Sequence, residues 1–113
     1  MMRDMRVYVQ DMIESVEVIG EYIQSLTEEE FYRNRQVQDA VLRRLEIIGE
    51  AVKNIDEGFR NRYAEIPWKK IAGLRDVLIH EYFGVNMKRV WRVIKIDLPD
   101  LKSKILRIWK AIS

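Results

Sequence analysis

Residues 5–26, MRVYVQDMIESVEVIGEYIQSL, set the fold class of this 113-residue chain. Their apolar side chains recur at alternating steps of four and three residues, which is the period of one buried stripe along an α-helix. The members of this stripe are Met5, Val9, Met12, Val16, Ile19, Ile23 and Leu26. The segment therefore predicts a long amphipathic helix that packs against other helices.

Two further helices are predicted directly after this segment. Thr27 begins a capping-box sequence, which predicts a short helix ending near Arg33. A second long helix is predicted from Arg35 to Asp56, because its apolar residues again follow the helical period. We expect residues 58–67 to form the one real loop of the chain.

The C-terminal part continues the helical period. A third long helix is predicted over 68–83, and Asn86 is expected to cap the last helical segment. The apolar stripe keeps its phase through Pro99, which predicts one kinked helix or two nearly collinear helices. The fold class is therefore predicted to be all-α. We expect residues 1–113 to form one domain, a four- to five-helix up-and-down bundle.

Three glycines lie inside predicted helices, at positions 20, 49 and 73. Each costs about 1 kcal/mol relative to alanine in a helix interior. The pattern leaves open whether they allow close helix approach within the bundle or across a dimer.

Composition excludes several classes of function. Because the chain has no cysteine and one histidine, it has no disulfide, no thiol nucleophile and no sulfur-based or histidine-rich metal site. Glu46 and Glu50 lack a histidine partner for a carboxylate metal site, and Glu46 is expected to pair with Arg43 or with another helix. The apolar runs are too short to span a bilayer, and no signal-peptide core is present. We expect a cytoplasmic protein without metal or cofactor.

The net charge of +2 is divided unevenly between two parts of the chain. Residues 1–67 carry 9 basic and 14 acidic side chains, whereas residues 68–113 carry 11 basic and 4 acidic side chains. Such asymmetry favours a polyanion-binding surface in the second part. The alternative is that opposite charges of the two parts meet in surface salt bridges.

The segment 73–84, GLRDVLIHEYFG, contains the side chains best suited to chemistry. His80 can transfer protons near neutral pH, and Arg75 provides a fixed cation for phosphate. Together they are the minimum for metal-free cleavage of RNA, which supplies its own 2′-hydroxyl nucleophile. On an ideal helix, however, positions 75 and 80 are about 140° apart, whereas positions 75 and 82 are about 20° apart. Arg75 and His80 converge only if Arg75 reaches around the helix, the last turn distorts, or two copies of the segment face each other.

Structural roles are the alternative for each of these residues. A histidine at a helix C-terminus commonly interacts with the helix dipole or accepts a structural hydrogen bond. Tyr82 has helical spacing from Leu78 and would fit a core, and Arg75 with Asp76 would fit a surface ion pair.

The pattern from Arg75 through Asp76 and His80 to Tyr82 resembles the R-x4-H-x-Y signature of HepT toxins in the HEPN superfamily, once called DUF86. The similarity covers essentially the whole chain. It includes 43–51, 66–75, 82–85, Trp91 and 97–101. The resemblance implies a two-fold homodimer with the HEPN-like bundle, acting as a metal-independent endoribonuclease. Its cleft would be lined by Arg75 and His80 of both subunits, supported by the polar residue Asp76.

The resemblance also implies a protein partner, a minimal nucleotidyltransferase antitoxin. In this family the antitoxin inactivates the toxin by transferring AMP from ATP to the motif tyrosine, here Tyr82. Added AMP would bring bulk and negative charge to the cleft where an RNA phosphate should bind.

A basic stripe on the last helical segment suits an RNA substrate. Lys88, Arg92, Lys95 and Lys102 step by 4, 3 and 7 beside the apolar face. With Lys69 and Lys70 at the start of the motif helix, they would attract phosphates without sequence preference. A solvated helix face is the alternative for the stripe.

Two other functions compete with that of a ribonuclease toxin. The chain could be a non-catalytic HEPN module that binds a nucleotide or the nucleotidyltransferase, or a helical structural protein without a site.

Overall fold

Helices make up nearly all of the structure, a computed structural model that describes residues 4–80 and 86–113, with the backbone alone for 75–80. No strand occurs in these ranges, so the all-α prediction is confirmed. In chain order the elements are α1 (Arg6–Ile23), α2 (Glu28–Arg33), α3 (Arg35–Lys53), α4 (Glu57–Arg62), α5 (Trp68–His80), α6 (Met87–Arg92), a π-helical turn (Val93–Asp97) and α7 (Leu98–Ile112).

The long helices form an elongated bundle of 44 × 28 × 22 Å. Helix α3 packs on both α1 and α5, and α7 packs on α1. The short helix α2 lies against α3 and α6. The bundle prediction agrees with this arrangement, in which α5 rests chiefly on α3.

The apolar stripe of α1 forms one wall of the core. Val9 and Met12 are fully buried, and Ile19 and Ile23 extend the buried face to the end of the helix. Leu26 lies beyond the helix that the stripe predicts. The buried hydroxyl of Ser15 has no hydrogen-bond partner among the described atoms.

The predicted capping box at the start of α2 is confirmed. The Glu30 backbone N–H donates to Thr27 Oγ1 at 3.1 Å, and the Thr27 N–H donates to Glu30 Oε1 at 3.0 Å. The cap fixes the direction in which the chain enters α2 and thereby places Phe31, which is fully buried, in the core.

The predicted loop over 58–67 is wrong in its first part. Helix α3 ends at Lys53, before the predicted Asp56, and α4 follows at once. Asp56 caps α4 because its Oδ1 accepts a hydrogen bond of 2.8 Å from the Phe59 N–H. The Phe59 ring then packs 6.3 Å from the Trp68 ring, which gives this short helix an anchor on α5.

A π-helical turn joins α6 to α7. Asn86 caps α6 as predicted, since its side chain accepts a 2.9 Å hydrogen bond from the Lys88 N–H. In the π-helical turn the Leu98 N–H donates to the Val93 carbonyl, five residues back. Pro99, in the first turn of α7, lacks an N–H and would crowd a carbonyl four residues earlier in a regular helix. The wider turn before it lets the helical segment continue, with Ile94 and Leu98 buried on the core side and Ile96 exposed.

Two of the glycines face open space. A Cβ at position 20 or 73 would meet no described atom within 4 Å. Close approach within the bundle therefore does not explain either residue.

No helix in the described ranges is long and apolar enough to cross a membrane.

Candidate functional site

Helix α5, which carries the motif, is held in place at its first residue. Trp68 is only 6% exposed, and its indole N–H donates to the carbonyls of Arg60 and Tyr63 at 3.2 and 3.1 Å. Pro67 precedes it and suits a helix start because no N–H is lost there. Helix α4 and α5 are thus joined rigidly at the end of α5 opposite His80.

Three of the predicted motif residues belong to α5. Arg75, Asp76 and His80 lie on its helical backbone, with His80 as its last residue. The positions of these three side chains, and the whole of Tyr82, lie outside what the structure describes. The predicted extension of the helix to residue 83 also lies outside the described residues. Because positions 75 and 80 are both helical, the angle of about 140° between them applies to this backbone.

A cleft of about 730 Å³ opens beside the start of α5. Its polar lining comes from α4 and α5 and includes Arg60, Asn61, Lys69, Lys70 and the acidic Glu57. Arg60 is already engaged, because it donates to the carbonyls of Val52 and Ile55 at the end of α3. The two predicted lysines, Lys69 and Lys70, are exposed at this edge of the cleft.

Three residues of the predicted stripe, Lys88, Arg92 and Lys95, are exposed along α6 and the π-helical turn, whereas the fourth, Lys102, is half-buried on α7. Arg89 is also exposed on α6 and adds a cation that the stripe did not include. Because Arg89 and the three exposed stripe residues lie within eight consecutive positions, they concentrate positive charge on one short helical segment.

Ion pairs of the described residues are local. Arg6 pairs with Asp4, Arg33 with Glu29, Arg43 with Glu46 as predicted, and Lys104 with Asp100, at N···O distances of 2.6, 3.9, 3.4 and 2.9 Å. Each of these pairs joins residues of the same part of the chain. Lys69, Lys70, Lys88, Arg89 and Arg92 form no ion pair with a described carboxylate. Salt bridges between the two parts of the chain were the alternative explanation of the uneven charge. None of the four ion pairs above joins the two parts, so these five cations are not neutralised in this way within the described residues.

Trp91 lies beside the cations, and no contact with RNA is predicted for it from the sequence. It is half-buried, with its ring centroid 5.2 Å from that of Phe31. The Lys95 Nζ lies over the Trp91 ring at 5.2 Å from its centroid. An aromatic residue followed by a lysine four positions later is the sequence signal for such a cation–π contact.

Among the described side chains the resolved pKa shifts lie in the first part of the chain. The pKa of Asp4 is lowered and that of Arg6 is raised because the two side chains hydrogen-bond to each other. The pKa of Glu30 is lowered because its carboxylate accepts hydrogen bonds from the Thr27 backbone and side chain. The pKa of Tyr32 is raised to about 12 because its hydroxyl donates to Glu28, 2.7 Å away. None of these four residues belongs to the motif. In the described ranges no three His, Asp or Glu side chains come together as metal ligands.

Comparison with known proteins gives a consistent result. A family model described as "Ribonuclease HepT-like" matches residues 12–108. The chain is 46% identical over 112 residues to a protein of Methanocaldococcus jannaschii named "Gamma-glutamylcyclotransferase and putative RNase". It is 43% identical over 110 residues to the "Probable ribonuclease HepT" of Thermococcus cleftensis. The alignments cover 99% and 97% of this chain, and 50% and 100% of the respective relatives, so the chain spans half the length of the first. No solved structure matches significantly.

Proposed function

We propose that this chain, which belongs to the HepT-like ribonuclease family, is a metal-independent endoribonuclease that acts as the toxin of a toxin–antitoxin pair. The observation that carries the proposal is the family match over residues 12–108, which spans the whole of α5 and with it Arg75 and His80. Exposed basic side chains without carboxylate partners among the described residues, on α5 and α6, support RNA as the substrate.

The proposed chemistry uses the RNA 2′-hydroxyl as the nucleophile. His80 removes the 2′-hydroxyl proton as the oxygen attacks phosphorus, and the imidazolium formed in this way passes that proton to the departing 5′-oxygen. Arg75 stabilises the negative charge that develops on the phosphoryl oxygens. The bond broken is P–O5′ and the bond formed is P–O2′, so the products are a cyclic phosphate end and a 5′-hydroxyl end.

A two-fold dimer supplies both groups to one phosphate in this proposal. Since positions 75 and 80 diverge by about 140° on one helix, Arg75 of one protomer and His80 of its partner are better placed to converge. Asp76, next to Arg75 in the chain, would orient the arginine or accept a hydrogen bond from it. Among the described elements α5 packs chiefly on α3, and we place the second copy on another face of α5.

Regulation by a minimal nucleotidyltransferase is part of the same proposal. The partner would transfer AMP from ATP to the Tyr82 hydroxyl with release of pyrophosphate. A phosphodiester on Tyr82, two residues from His80, would repel the RNA phosphate and fill the cleft. Intact-mass measurement should show a gain of one AMP on the wild type and none on Tyr82→Phe.

The catalytic assignment is tested by cleavage of single-stranded RNA in excess EDTA. We expect His80→Ala and Arg75→Ala each to reduce the cleavage rate at least 100-fold, since each removes a group that acts in the transition state. Arg107→Ala, at an exposed position of α7, is the matched control and should cleave normally. Circular dichroism must show the same helix content for all variants. Equal cleavage by His80→Ala, or no cleavage by the wild type, would refute the assignment and favour a non-catalytic binding module.

A further inference from the structure

We propose that Trp91 is a stacking platform for an unpaired RNA base, and that Lys95 covers its ring until RNA binds. The inference rests on the proposed function in taking RNA as the ligand, and it assigns a substrate contact outside the motif helix. It also defines the substrate class, since only an unpaired base can present its ring face to a side chain.

Trp91 lies at the boundary between the core and the surface. On the inner side it packs on Phe31, which is fully buried, with ring centroids 5.2 Å apart and planes inclined by 39°. On the outer side the ring is partly exposed, and the ammonium group of Lys95 lies over it at 5.2 Å. The indole is therefore fixed while its cover is a flexible side chain.

The surroundings of Trp91 suit a polyanion. Lys88, Arg89 and Arg92 are exposed on α6 and form no ion pair with described residues. Proteins that bind single-stranded nucleic acid without sequence preference combine such cations with an aromatic ring on which bases stack. When a base displaces Lys95 from the ring, the ammonium group becomes available to a phosphate of the same strand. Stacking of the base on Trp91 thus replaces the cation–π interaction, and Lys95 acquires a charged partner.

The platform lies within reach of the proposed catalytic position. Asn86, the cap of α6, follows His80, the end of α5, by six positions in the chain. A chain of six residues spans at most about 22 Å, so α6 begins no farther than this from the end of α5. A single RNA strand a few nucleotides long can therefore contact both.

A protein partner is the competing occupant of the surface around Trp91, because an apolar side chain is exposed nearby in the chain. Ile96, in the π-helical turn, is 60% exposed and would suit a protein interface. The unneutralised cations on the same segment favour RNA, because apolar protein interfaces are depleted in charged residues at their centre.

The test uses the full-length chain and a single-stranded oligonucleotide with 2′-O-methyl sugars, which lacks the attacking hydroxyl. The variant is Trp91→Leu, and the matched control is Trp109→Leu, which removes another half-buried tryptophan, from α7. We expect Trp91→Leu to weaken binding about 5- to 100-fold, in line with the loss of one stacked base, and Trp109→Leu to leave it unchanged. The wild type should bind an abasic oligonucleotide of the same length as weakly as Trp91→Leu binds the oligonucleotide with intact bases.

A second measurement does not depend on the folding of a variant. Oligonucleotide binding should quench the tryptophan fluorescence of the wild type, and the abasic oligonucleotide should not. Equal affinities of Trp91→Leu and Trp109→Leu, or equal quenching by both oligonucleotides, would overturn the stacking proposal. If Trp91→Leu loses a protein complex that the wild type forms, and its oligonucleotide affinity is unchanged, the surface belongs to a protein partner instead.

Failure of this inference is distinguishable from failure of the proposed function. If RNA is cleaved in EDTA and Trp91→Leu binds normally, the ribonuclease assignment stands and the platform is rejected. If Trp91 stacks bases and no RNA is cleaved, the platform stands and the chain is a binding module.

Discussion

The two parts of this molecule use their charged residues differently. In residues 1–67 the cations Arg6, Arg33 and Arg43 pair with carboxylates, and Arg60 closes the end of α3. Arg35, Arg44 and Arg62 of this part have no carboxylate partner among the described residues. In residues 68–113 Lys104 pairs with Asp100, whereas a larger set of cations on α5 and α6 has no carboxylate partner among the described residues. This set consists of Lys69, Lys70, Lys88, Arg89 and Arg92.

The difference separates charge that supports the fold from charge that is available to a ligand. Exposed ion pairs contribute little to stability, so the pairs of the first part mainly neutralise its surface. Exposed cations that have no carboxylate partner among the described residues produce a positive potential, which attracts a polyanion over a distance set by the ionic strength. The comparison therefore locates the proposed substrate-binding surface on α5, α6 and the π-helical turn.

Neutralising the basic stripe is expected to have the largest effect on RNA affinity. Replacing Lys88, Arg92 and Lys95 together by glutamine should weaken single-stranded RNA binding on the order of 100-fold at low salt. The slope of log affinity against log salt should fall by about three, one unit for each phosphate that is no longer neutralised. Fluorescence anisotropy across a salt series measures both quantities.

The matched control uses the paired cations of the first part. Arg6, Arg33 and Arg43 replaced together by glutamine remove the same formal charge from the chain. We expect RNA affinity to change far less, with an unchanged salt slope. If both triple variants bind alike, the overall charge and not the stripe determines binding, and the comparison between the two parts fails.

Arg60 is the sharpest example of a cation that supports the fold. Its Nη2 donates to the Val52 carbonyl at 2.6 Å and its Nε to the Ile55 carbonyl at 3.1 Å. Arg60→Met should lower the free energy of unfolding by about 2 kcal/mol, because these carbonyls lose a charged donor. Arg62→Met, at an exposed position on the same helix, should change it by less than about 0.5 kcal/mol. Urea denaturation gives both values, and equal stabilities would mean that the hydrogen bonds of Arg60 contribute nothing.

Alanine substitutions at Gly20 and Gly73 distinguish an effect on helix propensity from an effect on dimer contact. Gly20→Ala should stabilise the protein by about 1 kcal/mol, since its Cβ meets no described atom. Position 73 is seven residues before position 80 and hence on the same face of α5, where the proposed partner protomer approaches. Gly73→Ala should therefore shift the monomer–dimer equilibrium toward monomer, as followed by sedimentation. A dimer unaffected by Gly73→Ala would move the interface away from this face.

Much of the fold could be predicted from periodicity and caps. The stripe of α1, the capping box at Thr27 and the cap at Asn86 are local signals, and local hydrogen bonds confirm the two caps. Helix α4 was missed because six residues are too few to show a period, and Gly58 suggested a helix end. Asp56 followed by Glu57 was the available signal for its start.

Other features depend on tertiary contacts and could not be predicted in this way. Alternating steps of four and three residues continue across the π-helical turn. The pattern therefore does not reveal that the Leu98 N–H donates to a carbonyl five residues back instead of four. Arg75 and His80 follow from spacing and resemblance, and their catalytic role stays a prediction. Whether a cation such as Arg92 has a partner is decided by the packing of distant helices.

The central claim is that one catalytic centre takes Arg75 and His80 from different protomers. The direct measurement mixes the inactive Arg75→Ala and His80→Ala proteins, allows their subunits to exchange, and follows RNA cleavage in EDTA. A mixed dimer contains one intact pair across the interface, so we predict that cleavage returns to a substantial fraction of the wild-type rate. If the mixture stays inactive although exchange is complete, the two residues act within one chain or not at all, and the composite centre is contradicted.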